Sequence, residues 1–430
     1  MSLGLFFLMF AILLLIGLPI GVTLGMTAIL PSLFDTGFAA NAQLIIRSML
    51  SGVDSFPLLA VPMFIISGII MARGKISEKL FNMFAYFVGT STAGLPIAAI
   101  ITCLFYGAIS GSGPATTAAV GSMTIPILVG LNYDKVFVTA MIAVAGGLGV
   151  IIPPSIPFIF YGMSSGQSVG HLFIAGIIPG LLIGAILSLY AFYYCKKKGE
   201  DKEKLKEFTG KIRSKGFFGV FKDSFWALLS PVIILGSIYS GIASPTEAAV
   251  ISVFYSLFIS IFVYKTMKIS DIPALLIESI DTFAPIMFIL AAAMGFARVL
   301  TFLRAPQIIA GAITSVASSK VGILLVINVL LLFVGMVMDT TPAILILTPI
   351  LLPIAQAVGV NPIHFGIIMV VNLAIGFVTP PMGINLFVAS SMTEVPIMKI
   401  AKAALPFIIC FLIALVAITF VPEISLLLVK

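Results

Sequence analysis

Charged residues are scarce in this chain. Only 9% of its 430 residues are Asp, Glu, Lys or Arg, whereas 60% are hydrophobic. A soluble core does not need so much apolar sequence, so this balance excludes a soluble globular protein and predicts an all-α polytopic membrane protein in a lipid bilayer. The formal net charge of +7 does not indicate nucleic-acid binding, because the basic residues cluster in short loops, where they determine orientation.

Residues that bind metals or catalyse acid–base reactions are equally rare. The three cysteines, Cys103, Cys195 and Cys410, lie far apart in or beside apolar segments, which suggests neither a disulfide framework nor a metal site. The two histidines, His171 and His364, have no second ligand at metal-binding spacing. We therefore do not expect an enzyme.

One unusual pattern occurs twice. The segment GVIIPP at 149–154 recurs as GFVTPP at 376–381, 227 positions later, and the same offset pairs Pro126 with Pro353. Each double proline lies inside an apolar stretch long enough to cross a bilayer. Non-helical backbone at membrane depth is tolerated only where protein or a watery cavity satisfies it, and paired interrupted segments mark the transport site of secondary transporters. The sequence thus predicts a secondary transporter.

A hydrophilic block orients the chain. Residues 196–223 contain ten Lys or Arg against five acids, which predicts a cytoplasmic location. From this anchor, 5–33 is predicted to be one long span kinked at Pro19, 226–241 an extra span that inverts the second half, and 283–302 an outward span. The interpretation gives nine full spans, two hairpins, a cytoplasmic N-terminus and an external C-terminus.

The chain is predicted to contain two inverted-topology repeats, each with a re-entrant hairpin and a broken helix. Each arm of the first hairpin is expected to hold about 15 residues, against about 20 for a full span. The predicted boundaries are 1–195 for the first repeat, with its hairpin at 95–128 and its broken helix at 136–162; 196–242 for the basic loop and the extra span; and 243–430 for the second repeat, with its hairpin at 321–358 and its broken helix at 365–392.

The hairpin tips carry the candidate site residues. Ser112 and Thr341 each lie just ahead of a proline, so each second arm is predicted to start with a capped N-terminus at membrane depth. Proline also frees carbonyls one turn back, which predicts loose carbonyls at 149–152 and 376–379. Helix N-termini suit a carboxylate, whereas carbonyls and hydroxyls suit Na⁺.

Asp339 is the only formally charged residue between Lys320 and Glu394. One interpretation is an ion or substrate contact, because an acid inside a membrane is functional by default. The other is a capping carboxylate at the hairpin tip, and the two are compatible. Its counterpart in the first repeat is Gly111, so the two halves are not chemically equivalent.

Other polar residues near the breaks also have two interpretations. They are either ligands of an ion or substrate, or partners of nearby backbone and side chains. These residues are Ser110, Ser112, Thr116 and Thr117 at the first tip, Ser155 after the first double proline, and Asn372 and Asn385 around the second.

Together these motifs resemble the large membrane subunit of tripartite ATP-independent periplasmic (TRAP) transporters. The matching segments are SGSGPATTAAVG at 110–121, GVIIPP at 149–154, MDTTP at 338–342 and GFVTPP at 376–381. The resemblance covers essentially the whole chain. It implies Na⁺-coupled import of an organic acid into bacteria through the inner membrane, by an elevator-type fold. It also implies two partners: a periplasmic substrate-binding protein and a small four-helix membrane subunit.

The resemblance further implies two Na⁺ sites and a substrate-facing group. These are Ser110, Ser112 and Gly149 for the first Na⁺ site, Thr341, Gly376 and Thr379 for the second, and Ser112, Ser155 and Asp339 for the substrate. C4-dicarboxylates, sialic acid, other sugar acids and keto acids all remain candidate substrates.

Three alternatives stay open at this point. A stand-alone Na⁺- or H⁺-coupled anion symporter of the same superfamily would work without a binding protein. An intramembrane serine protease is suggested by the run from Ser110 to Gly113, but it needs a base near the serine. A channel could also contain duplicated half-helices, although two inverted breaks with long hairpins favour alternating access.

Overall fold

The computed structural model describes residues 2–34, 41–316 and 319–429. The predicted repeats therefore include a few positions, 1, 35–40, 317–318 and 430, that lie outside the described residues. Every regular element in the described ranges is a helix, which confirms the all-α fold class.

The described residues form 21 α-helices. Their bounds are α1 Leu3–Leu15, α2 Ile20–Phe34, α3 Ala42–Val53, α4 Ala60–Arg73, α5 Ile76–Val88, α6 Gly94–Ser110, α7 Gly113–Gly130, α8 Lys135–Gly146, α9 Ile156–Ser165, α10 Val169–Lys198, α11 Lys202–Arg213, α12 Gly216–Tyr239, α13 Pro245–Phe258, α14 Ile272–Phe302, α15 Ala305–Val316, α16 Lys320–Val337, α17 Thr340–Ala357, α18 Pro362–Gly376, α19 Ile384–Thr393, α20 Ile397–Phe420 and α21 Glu423–Leu426.

Eight helical segments in the described ranges are long and apolar enough to cross a membrane, judged by length and composition. They are Phe56–Arg73, Val169–Lys198, Gly216–Tyr239, Pro245–Val263, Ile269–Phe302, Lys320–Val337, Thr340–Ala357 and Ile397–Phe420. The chain is thus a multi-pass helical membrane protein.

Two of these segments, α16 and α17, are the arms of the second hairpin and hold 18 residues each. The arms of the first hairpin, α6 and α7, hold 17 and 18 residues. The expected arm length of about 15 residues was therefore too short. The reason is that helical structure continues up to the tip, where only Gly111 and Ser112 separate α6 from α7.

The same local arrangement occurs in both halves. A helical hairpin, α6–α7 or α16–α17, is followed by a helix that is interrupted at a double proline, α8–α9 or α18–α19. The interruptions occupy 147–155 and 377–383, where a short 3₁₀ turn or irregular backbone replaces the α-helix. The two units contact each other directly: the Tyr161 hydroxyl donates to the Pro362 carbonyl at 2.6 Å, and the Asn385 amide donates to the Ala143 carbonyl at 2.9 Å.

A second group of helices packs beside this duplicated unit. Gly21 and Gly52 allow α2 and α3 to approach the side chains of Phe288 and Met294 on α14 closely. Helix α4 packs against α14 and, through a hydrogen bond between the hydroxyls of Ser67 and Ser252, against α13. These close contacts make α2, α3, α4, α13 and α14 one packed group.

The N-terminal segment differs from its prediction. Residues 5–33 are not one kinked span, because the chain leaves the helix between α1 and α2. Gly17 takes a left-handed conformation, φ +90°, that ends α1, and Pro19 cannot donate a hydrogen bond to continue it. The helix α3 was not predicted.

Three further predictions differ. The extra span predicted at 226–241 begins earlier, at Gly216, because Lys222 and Asp223 do not interrupt α12. Helix α14 begins at Ile272, well before the predicted start at 283, because Glu278 and Asp281 lie on an exposed face and do not interrupt the helix. The basic block is not a plain loop, since it contains α11. Leu205, Phe208, Thr209 and Ile212 recur at helical spacing there, with Leu205 and Thr209 buried.

Candidate transport site

The tip of the first hairpin is a sharp break between two helices. Gly111 ends α6 in a left-handed conformation, φ +61°, and its carbonyl accepts a hydrogen bond from the Ile156 amide at 3.3 Å. The side chain of Ser112 accepts from the Ala115 amide at 3.4 Å and so caps α7, as predicted. The tip is therefore held against the start of α9 by a backbone hydrogen bond.

Three hydroxyl and carbonyl groups meet behind this tip. The Ser110 hydroxyl lies 3.0 Å from the Thr116 hydroxyl, which donates to the Ser112 carbonyl at 2.8 Å. Ser110 is only 2% exposed and Thr116 is fully buried. Hydroxyl and carbonyl oxygens are hard ligands that suit an alkali or alkaline-earth cation.

Gly149, in the first interruption, lies directly against these oxygens. A Cβ atom at Gly149 would lie 2.6 Å from the Ser112 carbonyl oxygen and closer still to the Thr116 hydroxyl. The structure therefore brings together Ser110, Ser112 and Gly149. Thr116, which the sequence also offered as a candidate ligand, joins them, because its hydroxyl bridges Ser110 and Ser112.

A glycine on the first arm makes this approach feasible. A Cβ atom at Gly107 would lie 2.7 Å from the Cα atom of Gly149. In the second repeat, a Cβ at Gly376 would lie 2.7 Å from the Cα of Gly335, on the first arm of the other hairpin. Gly107 and Gly335 were not predicted, although their separation of 228 positions equals that of Gly111 and Asp339 at the two tips and was a usable signal.

The tip of the second hairpin is built differently. Helix α17 begins at Thr340, and Asp339 is its N-cap, with Oδ1 accepting from the Thr340 amide at 2.7 Å. The prediction that Thr341 precedes the second arm as its cap is therefore wrong. The reason is that the Asp339 carboxylate is a stronger acceptor for free amides than a hydroxyl and takes that place two residues earlier.

The other residues predicted for the second Na⁺ site lie around the second interruption, at 377–383. Gly376 ends α18, and the Thr379 hydroxyl donates to the Ile375 carbonyl at 2.8 Å. Thr341 is 5% exposed and, among the described residues, forms no hydrogen bond with Gly376 or Thr379. The tip contacts the break through the backbone, because the Met382 amide donates to the Met336 carbonyl at 3.0 Å.

The polar residues near the double prolines each form hydrogen bonds with neighbouring groups. Ser155 is fully buried, donates to the Val150 carbonyl at 2.5 Å and accepts from the Phe158 amide at 3.3 Å, which confirms that it caps α9. Asn372 donates to the Asn328 side chain at 2.7 Å, so it braces α18 against α16. Asn385 braces α19 against α8 through Ala143.

A cavity of about 640 Å³ adjoins the first tip. It lies between the α6–α7 hairpin and helices α4, α5 and α14, and Ser110 and Ser112 line it. Of the three residues predicted to face the substrate, Ser112 lines this cavity, whereas Ser155 and Asp339 do not. The first predicted ion site is thus next to a space of small-molecule size.

Comparison with known proteins identifies the family. The family described as "Tripartite ATP-independent periplasmic transporter, DctM component" matches residues 7–424. The chain belongs to this family. This confirms the resemblance inferred from the motifs and assigns the chain to a transporter permease family.

Named relatives agree with that assignment. The C4-dicarboxylate TRAP transporter large permease protein DctM of Pseudomonas aeruginosa is 43% identical over 87% of this chain and 86% of its own length. The isethionate TRAP transporter permease protein DctMQ of Oleidesulfovibrio alaskensis is 44% identical over 97% of this chain. This chain spans only 65% of that relative.

A solved structure supports the fold alone. The YdaH transporter of Alcanivorax borkumensis superimposes with a TM-score of 0.63, covering 96% of this chain and 97% of that chain, at 16% sequence identity. The DctM family and the multi-pass helical fold agree with a place in a bacterial inner membrane as one part of a tripartite importer.

Proposed function

We propose that this chain imports an organic acid anion together with Na⁺, after a periplasmic binding protein has delivered the anion. The observation that carries the proposal is the group of oxygens from Ser110, Ser112 and Thr116, packed against the Gly149 break and next to the 640 Å³ cavity. Such a group offers a small cation hard oxygen ligands beside a space for an anion.

The proposed substrate class follows from the relatives and from the charge pattern. Relatives are named for C4-dicarboxylate, isethionate, 2,3-diketo-L-gulonate and sialic acid, all of which are anions. Apart from Lys320 at the start of α16, the two hairpins contain one formal charge, Asp339, so recognition is expected to depend on helix N-termini and hydroxyls more than on buried ion pairs. Ser112, which lines the cavity, is proposed to face the anion there. Ser155 and Asp339 do not line the cavity in this conformation and are proposed as anion contacts at another stage of transport.

The second proposed Na⁺ site comprises Thr341, Gly376 and Thr379, at the corresponding position of the second repeat. Its support is the shared arrangement, in which Gly335 on the hairpin arm contacts Gly376 as Gly107 contacts Gly149. The proposed motion is an elevator: the two hairpins and split helices move as a unit against the group that contains α4, α13 and α14. A small four-helix membrane subunit is the proposed third component.

Uptake into proteoliposomes tests this function. The vesicles contain the chain and its small subunit, with labelled succinate, isethionate and sialic acid as probes and the cognate binding protein outside. Uptake of one probe should require both the binding protein and an inward Na⁺ gradient, and should stop when choline replaces Na⁺. Uptake that continues without the binding protein favours the stand-alone symporter, and uptake that continues in choline contradicts Na⁺ coupling.

The protease interpretation has no structural support in the described residues. A serine nucleophile needs a base within hydrogen-bond reach. The Ser110 hydroxyl interacts with Thr116 and Ser112, whereas the ring of His364 is turned to the Thr419 carbonyl on α20.

A further inference from the structure

The charges around the 640 Å³ cavity belong to a few residues. Its described lining contains two cations, Arg73 and Lys75, and two acids, Glu78 and Glu278, while the other lining residues are uncharged. The guanidinium of Arg73 on α4 donates to the Glu278 carboxylate on α14. This pair therefore joins two helices of the same packed group across the cavity wall.

Arg73 is within reach of the proposed ion site. Gly68, on the same helix, packs against Ser110, since a Cβ atom at Gly68 would lie 3.4 Å from the Ser110 Cα. Arg73 follows five residues later, about 7.5 Å further along the helix axis. An organic anion in the cavity can thus lie near the hairpin tip and near the guanidinium at the same time.

The ion pair is about half exposed to solvent. The side chains of Arg73 and Glu278 are 45% and 46% exposed, and an exposed ion pair contributes little to stability. A guanidinium also presents several donors in a planar fork that matches a carboxylate or sulfonate. An incoming oxyanion can therefore replace Glu278 at a small energetic cost.

We propose that Arg73 binds the carboxylate or sulfonate group of the transported anion in this cavity, and that Glu278 holds the guanidinium in place until the anion displaces it. This inference rests on the proposed function, because it assigns a recognition residue for the same substrate class. Arg73 was not singled out from the sequence, since it lies at the end of a helix like many interfacial cations.

Lys75 provides a matched control. It also lines the cavity and carries the same charge, but its ammonium is a point charge without the fork geometry. If only the total charge of the cavity matters, Lys75→Gln and Arg73→Gln will have equal effects. If Arg73 binds the oxyanion directly, only Arg73→Gln will weaken binding strongly.

The test is protection of a single cysteine in the cavity. Ser122→Cys is placed on a background in which Cys103, Cys195 and Cys410 are alanine, because Ser122 lines the cavity and is exposed. The reconstituted chain is treated with a neutral, membrane-permeant maleimide, with and without succinate, isethionate or N-acetylneuraminate. Glycerol serves as the uncharged control.

At least one anion should slow modification, and Arg73→Gln should raise the anion concentration needed for half-protection by about tenfold or more. Glu278→Gln should lower that concentration, by at most about fivefold, because it removes the competing carboxylate. A purely structural ion pair predicts instead that Arg73→Gln and Glu278→Gln act in the same direction.

Three results would overturn the inference: equal effects of Arg73→Gln and Lys75→Gln, weaker binding in Glu278→Gln, or no protection by any of the three anions. Uptake measured in parallel separates this inference from the proposed function. If uptake by the unaltered chain depends on Na⁺ but Arg73→Gln leaves protection by the anion unchanged, only the role proposed for Arg73 is refuted. Loss of Na⁺ dependence in the unaltered chain refutes the proposed coupling and leaves the protection result standing.

Discussion

At the scale of single residues, glycines determine how closely each hairpin approaches its split helix. Gly107 contacts Gly149 in the first repeat, and Gly335 contacts Gly376 in the second. The sequence analysis found Gly149 and Gly376 because they belong to the repeated double-proline motifs. It missed their partners because isolated glycines are common in membrane helices, and only tertiary packing shows which of them touch.

Gly149→Ala should weaken the proposed Na⁺ site. The new methyl group would press on the Ser112 carbonyl and the Thr116 hydroxyl, so these ligands must move apart. We expect the Na⁺ concentration for half-maximal uptake to rise by about tenfold, the effect of losing roughly one charge-assisted contact. Gly130→Ala is the control, because a Cβ there meets nothing within 4 Å. An unchanged Na⁺ dependence in Gly149→Ala would show that the oxygens of Ser110, Ser112 and Thr116 do not bind the transported Na⁺.

Asp339 has two compatible interpretations, a helix cap and a contact for the ion or substrate. It caps α17, as one interpretation predicted, and a cap does not exclude a transport role. Asp339→Asn keeps a good capping residue but removes the charge, so we expect lost uptake with unfolding stability changed by less than about 0.5 kcal/mol.

The control for Asp339 is Asp134→Asn. Asp134 also caps a helix, α8, by accepting from the Phe137 amide at 2.7 Å, but it lies in the turn between the first hairpin and the split helix. It should keep normal uptake. Full uptake by Asp339→Asn, measured per folded molecule, would leave Asp339 with a structural role only.

At the scale of elements, the apolar helices were predictable and the short polar ones were not. Hairpins and broken helices were located because proline and glycine interrupt long apolar runs. Helix α11 was missed because its apolar residues are few, and its charge suggested a solvated loop. Leu205, Phe208 and Ile212 at helical spacing were the available signal. Its side chains anchor it at both ends: Lys204 contacts Asn132, and Arg213 donates to the Tyr86 carbonyl.

The segment before α11 is held by contacts of a half-buried carboxylate. Glu200 accepts from the Ala93 amide at 3.0 Å and from the Tyr133 hydroxyl at 2.5 Å, so it joins the start of the first hairpin to the turn after it. Burial and the neighbouring Glu200 carboxylate raise the pKa of the Tyr133 phenol, which therefore stays protonated and donates throughout the physiological range.

Tyr133→Phe should lower the free energy of unfolding by about 1.5–3 kcal/mol, the usual contribution of a hydrogen bond to a charged group. Thermal unfolding of the purified protein measures this change. Tyr193→Phe is the control, since Tyr193 is 59% exposed. Equal thermal stability of Tyr133→Phe and the unaltered protein would show that the hydrogen bond from Tyr133 to Glu200 does not stabilise the fold.

At the scale of the whole molecule, the proposed transport mechanism requires two similar units inserted in the membrane with opposite orientation. The duplication is visible in the sequence offset and again in the paired hairpins and split helices. Orientation is a different matter: the basic residues at 196–223 predict it, and the helix packing does not define which side of a membrane each end occupies.

Cysteine labelling tests whether the two units have opposite orientations in the membrane. Gly130→Cys and Ala357→Cys occupy corresponding exposed positions at the ends of α7 and α17, 227 residues apart. On the cysteine-free background, with Lys206→Cys in the basic block as the cytoplasmic marker, membrane-impermeant maleimide is applied to intact cells and to inverted vesicles. We predict that Gly130→Cys and Lys206→Cys label only in inverted vesicles and that Ala357→Cys labels only in intact cells. Labelling of Gly130→Cys and Ala357→Cys from the same side would contradict the inverted duplication and the transport mechanism proposed from it.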